Sequence, residues 1–208
     1  MNPNVEQELL SQGYYVSERW KIKNVLGFIR QELDRKSAWL HGFQFLLTAA
    51  VGLGLYFAYK DISGGSQWFS GVLLPFSLGL LAMILMVIPH EFIHGVAYKV
   101  TGAQKVVYGA DWKKLVFHAS APYHTINYKQ MLLVALAPFV VITALLLLAV
   151  LLTEGKIWWF FFGLLVMHTQ GCFGDFAMVN FFARQREPEK WITFDDSEAQ
   201  TFVLLTKV

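Results

Sequence analysis

Four stretches of this 208-residue chain contain no Asp, Glu, Lys or Arg: Ala38 to Tyr59, Ile62 to Pro89, Gln130 to Thr153, and Ile157 to Gly174. A helix rises 1.5 Å per residue, so about 20 apolar residues cross a hydrocarbon core of ~30 Å. The fourth stretch continues apolar beyond Asp175 to Ala183. The chain therefore reads as an all-α integral membrane protein with four transmembrane helices, at about 39–60, 67–98, 130–153 and 157–183. A composition that is 55% hydrophobic and 15% charged agrees with this and excludes an ordinary soluble domain.

Orientation follows from the basic residues, which favour the cytoplasmic side. Arg19, Lys21, Lys23, Arg30, Arg35 and Lys36 precede the first span; Lys99, Lys105, Lys113, Lys114 and Lys129 lie between spans two and three. Arg184, Arg186, Lys190 and Lys207 follow span four, and the opposite side holds Lys60 and Lys156. Both termini are expected to be cytoplasmic. The net charge of +2 is then a matter of topology, not a nucleic-acid-binding surface. Trp39, Tyr56, Tyr59, Trp68, Trp158 and Trp159 sit where interfacial aromatic belts belong. The N-terminal stretch has acidic residues and no apolar core, so no cleavable signal peptide is expected, and span one would act as an uncleaved anchor. Cys172 is the only cysteine, which rules out an internal disulfide.

Outside the spans, residues 1–37 read as a cytoplasmic lead and 185–208 as a mixed-charge cytoplasmic tail. Within the lead, Val25, Phe28, Ile29, Leu33 and Leu40 recur near helical spacing, fitting either a helix along the membrane surface or one packed on the bundle. Between spans two and three, "AQKVVYG" and "KLVFHAS" are β-prone runs around "ADWK", which predicts a small β-hairpin.

The chemistry-bearing motif lies at the inner end of span two, in "MVIPHEFIHGVAYKV". His90 and His94 are four apart, so their rings project from one helix face, one turn apart. That spacing suits two nitrogens on one Zn²⁺, with Glu91 placed to accept a proton from the attacking water. Titratable groups in a span are expensive and usually mark function. A catalytic zinc takes three protein ligands and a water. Asp175 is the other acidic residue inside a span, and both sites fall ~10–14 Å inside the cytoplasmic edge. Asp175 is thus the expected third ligand, or else a carboxylate bonded to local backbone near Gly171 and Gly174.

His168 lies seven residues before Asp175, two turns away, too far along a straight helix to share the ion; a water path or an interhelical hydrogen bond suits it better. His118 and His124, in the loop, can approach the site or remain solvated, and His41 is interfacial. Pro75, Pro89 and Pro138 each remove a backbone donor and can kink their spans.

"HEFIHGVAYKVTGA", the β-prone loop with "APYH", the Pro-bearing third span and "GCFGDFAMV" together resemble the DUF3267 family of zincin-type peptidases, itself similar in plan to site-2 proteases. The resemblance covers roughly residues 65 to 185. It implies His90, His94 and Asp175 as zinc ligands, Glu91 as catalytic base, and a bacterial cell membrane as location. Here Pro138 lacks the Asn, and Asp175 the following Gly, of the usual site-2 protease patterns. On this reading residues 38–184 form a zincin-like domain that hydrolyses peptide bonds of membrane or membrane-proximal substrates near the cytoplasmic face. The lipid bilayer and a peptide substrate are its partners, with no nucleic acid involved. Two other readings stand beside it. One is a catalytically inert metal-binding protein, with His124 as a candidate fourth ligand. The other is a small metal transporter with His168, Cys172 and Asp175 lining a path.

Overall fold

The computed structural model describes residues 5–111 and 116–207. The chain runs α1 (Val5–Ser11), β1 (Tyr14–Lys21), α2 (Val25–Leu33), α3 (Ala38–Ser63), α4 (Leu74–Val100), β2 (Val107–Asp111), β3 (Val116–Ser120), β4 (Ile126–Asn127), α5 (Tyr128–Leu152), α6 (Gly155–Gly171), α7 (Phe173–Ala183), β5 (Trp191–Asp196) and β6 (Thr201–Lys207). A π-helical turn over Trp68–Leu73 leads directly into α4.

Among the described residues, three helices are long and apolar enough to cross a membrane: Ala38–Ser63, Trp68–Val100 and Tyr128–Leu152. Pro75 stands where the π-helical turn passes into α4, and both α4 and α5 continue through Pro89 and Pro138. The stretch expected as one span over 157–183 is instead two helices, α6 and α7, broken at Cys172. α4 and α6 pack closely because glycines face backbone. A β-carbon on Gly79 would meet the Phe160 carbonyl, and one on Gly163 the Phe76 carbonyl. Small residues let helices approach where lipid supplies no hydrophobic drive.

The expected hairpin is present: β2 and β3 pair antiparallel from Val107↔Ser120 to Asp111↔Val116. Its tip, with Lys113 and Lys114, lies outside the described residues.

The all-α expectation needs correction. The lead and the tail are joined in one four-stranded sheet of order β1-β6-β5-β4, antiparallel throughout. β6 is central and buried along Thr201–Thr206. A strand covered on both faces reads as a continuous apolar run, which is what "TFVLLT" is. Phe202 and Leu204 pack with Phe28 of α2 and Phe181 of α7. Val203 and Leu205, on the other face, pack with Leu9 of α1 and with Ile192 and Phe194 of β5.

α2 packs on the bundle, resolving the two readings of the lead. Glu32, fully buried, pairs with Arg184 at 3.0 Å and Arg35 at 2.9 Å. The Asn180 side-chain amide donates to the Glu32 and Arg35 carbonyls. These contacts fasten α2 to the end of α7, and so hold the sheet against the membrane-facing helices.

Candidate metal centre

His90, Glu91 and His94 lie on α4, and Asp175 lies in the first turn of α7. The break at Cys172 starts a new helix just before Asp175, which sets the carboxylate at a helix N-terminus, the favourable end for an anion. The carboxylate then reaches both rings: Oδ2 lies 3.3 Å from His90 Nε2, and Oδ1 3.1 Å from His94 Nε2. The two Nε2 atoms are 3.1 Å apart. Both imidazoles are buried.

The pairing around His94 fixes what these atoms need. His94 Nδ1 lies 2.8 Å from the Val134 carbonyl of α5, which accepts and so assigns the proton to Nδ1. In the neutral ring Nε2 is then a bare lone pair facing a carboxylate oxygen and a second imidazole nitrogen. Lone pairs converging in a dry interior repel unless a cation lies between them. Donors on one tetrahedral zinc, at about 2.0–2.1 Å each, are separated by ~3.3 Å. The three observed separations match this. The Nδ1 hydrogen bond is also the usual outer support of a ligating histidine. The residues present fit the metal.

Glu91 faces a different neighbour. The backbone N–H of Ala119 on β3 points at its carboxylate. The hairpin is seated over this part of α4: Tyr108 of β2 reaches Gly95, where a β-carbon would strike the phenol. Beneath the hairpin a cavity of about 230 Å³ is lined by Glu91, His94, Asp175, His118, His124 and Asp195, among others. It brings together the bundle, the hairpin and the C-terminal tail.

The expected accessory residues divide. His124 Nε2 bonds the Thr101 hydroxyl at 3.0 Å, just beyond α4, so it lines the cavity but stands apart from the three converging donors. Burial pushes the imidazoles of both His118 and His124 below the ordinary histidine range. His168 stands beside His90, with ring centroids 5.8 Å apart. The helix break removes the straight-helix premise that had set it at a distance from the site.

Asp195 has no counterpart in the sequence reading. It belongs to β5 in the tail, accepts from the Ala121 backbone N–H at 3.3 Å, and is pushed by burial up to about 6. The β-branched and aromatic residues of "WITF" were the available signal for a strand, but nothing in them names the cavity this strand would line.

A match to the DUF3267 family, described as "Putative zincin peptidase", spans residues 83–188. The chain belongs to this family. The match starts within α4 and runs past α7, so it takes in all four residues of the cluster; the resemblance read from the sequence began earlier, near residue 65. No curated protein and no solved structure matches the chain. For a DUF3267 protein, a metallopeptidase function at the level of the family is the frame in which the centre is to be understood.

Proposed function

We propose that this protein is a membrane-embedded zinc metallopeptidase that hydrolyses peptide bonds of membrane or membrane-proximal substrates near the cytoplasmic face. The observation that carries the reading is the convergence of His90, His94 and Asp175 from two helices, next to Glu91 and at the wall of a cavity. Zinc in that position would lower the pKa of a bound water towards ~7 and polarise the scissile carbonyl. Glu91 accepts the proton of the attacking water and passes it to the leaving amine. The Val134 carbonyl holds the His94 ring in its ligating orientation, and the Ala119 N–H steadies Glu91. A helical substrate has to unwind before its peptide bonds are open, and the β2–β3 hairpin beside Glu91 is suited to hold an extended strand by main-chain pairing.

The same reading places four spans in a bacterial cell membrane, the fourth formed by α6 and α7 together. The pairing of lead with tail in one sheet supports it: β1 and β6 share a side, which requires an even number of crossings. The basic residues put that side in the cytoplasm.

Metal analysis of the purified protein, in a Cys172→Ser background that removes its lone thiol, is the test. That protein should carry close to one zinc per chain, and adding either His94→Ala or Asp175→Asn should lose it. Glu91→Gln should keep the zinc and lose peptide hydrolysis. Zinc retained by Asp175→Asn, or turnover retained by Glu91→Gln, would refute the assignment of that residue.

A further inference from the structure

A second set of donors lies on the far side of His90. Ligand atoms of His90, His168 and Cys172 all fall within 4.8 Å of one another, and all three residues are buried. His168 and Cys172 are wholly inaccessible, and His90 is 6% exposed. Among the described residues, no hydrogen-bond partner within ordinary distance meets His90 Nδ1 or His168 Nδ1. The Phe139 backbone carbonyl lies toward the His168 ring. Buried imidazole nitrogens without a close partner are costly at the centre of a membrane bundle. No catalytic role assigned above uses either of them.

We infer that His90, His168 and Cys172 form a second metal site, one that takes a borderline-soft cation of the zinc class through two imidazoles and a thiolate. The spacing supports it. Cys172 Sγ lies 4.0 Å from His168 Nε2. A tetrahedral zinc with bonds of ~2.3 Å to sulfur and ~2.0 Å to nitrogen sets these atoms ~3.5 Å apart, so one ion reaches both after a closure of about 0.5 Å. The His90 ligand atom, within 4.8 Å of the other two, has to close in by at most about 1.5 Å.

Cys172 is the residue between α6 and α7, the C-cap of one helix and the N-cap of the next. Its present partner is the His168 carbonyl, 3.3 Å away, to which the thiol donates. On binding, the S–H bond breaks, the sulfur–metal bond forms, and the proton passes to bulk water. Thiolate with imidazole selects zinc-class and softer ions over calcium or magnesium. Because His90 belongs to both donor sets, loading this site bears on the first. Its existence does not depend on peptidase activity.

Cobalt(II) is the probe, added to the metal-free, full-length protein in detergent. Cys172 is the only cysteine of the chain, so any thiolate-to-cobalt charge-transfer band in the near ultraviolet comes from it. Wild type should show that band. Cys172→Ser should abolish it, and His168→Ala should weaken the cobalt affinity read from it at least tenfold. Asp175→Asn, which dismantles the first set, should keep it. A folded wild type without the band at saturating cobalt would overturn the inference, as would a His168→Ala protein that binds unchanged. If His168→Ala does not fold, His168→Asn takes its place with the same two outcomes. Failure of the peptidase reading shows elsewhere, as zinc kept by Asp175→Asn when Cys172→Ser has removed the thiol, or hydrolysis kept by Glu91→Gln.

Discussion

The helical bundle and the sheet bury their apolar residues by opposite rules. In α3 the most apolar window is only 11% buried, and Leu81, Ile84, Leu85 and Ile88 of α4 stand exposed. In β6, Val203, Leu204 and Leu205 are wholly inaccessible. Helices this long and apolar suit a hydrocarbon surrounding, where an outward Leu would cost nothing and close backbone contact of the Gly79 kind sets the packing. The sheet's two faces are hidden by α1 on one side and by α2 and α7 on the other. Apolar character therefore marks the interior in one region and the exterior in the other.

One substitution made in both regions gives the sharpest contrast. Leu204→Ala should cost ~2–5 kcal/mol, the usual range for a core leucine, read as lower thermal stability of the sheet. Leu85→Ala, on the lipid face of α4, should change stability by less than ~0.5 kcal/mol in the same measurement. Equal losses would mean that α4 is covered by protein on that face.

The joint between the regions comes next. Removing the Glu32 charge with Glu32→Gln leaves Arg184 without its partner; loss of a half-buried pair of this kind should cost ~2–3 kcal/mol. Limited proteolysis should then release the lead and tail before the bundle unfolds. Release of all parts together would show that the sheet is held by its apolar contacts alone.

The smallest effect concerns the tail's contribution to the cavity. Burial raises the Asp195 carboxyl from the ordinary value of 3.8 to about 6. The folded state thus holds this proton more tightly than the unfolded chain. Between those values stability falls as pH rises, and above pH ~6 the full penalty is present. Asp195→Asn should therefore be more stable than wild type at pH 7, by on the order of 1–2 kcal/mol, and the gain should vanish near pH 4. Thermal melts at the two pH values check the sign; a gain that persists at pH 4 would assign it to packing instead.

Part of this was legible in the residues. The charge-free stretches and the helical spacing of His90 and His94 need no tertiary knowledge, because span length and side-chain direction are properties of the helix itself. The hairpin showed in its β-prone runs for the same local reason. The sheet escaped because β1 and β6 are separated by nearly the whole chain, and a strand is completed only by its partner. Asp195 escaped with it.

What the sequence determined by itself was the solvent and the motif: long uncharged runs demand lipid, and a four-residue spacing fixes two rings on one face. Only the tertiary structure decided that Asp175 meets them, that His168 and Cys172 stand behind His90, and that the tail closes the cavity. Each of these depends on where the last membrane stretch breaks, at Cys172, and on contacts between segments far apart in the chain. Such contacts leave no periodicity in the sequence.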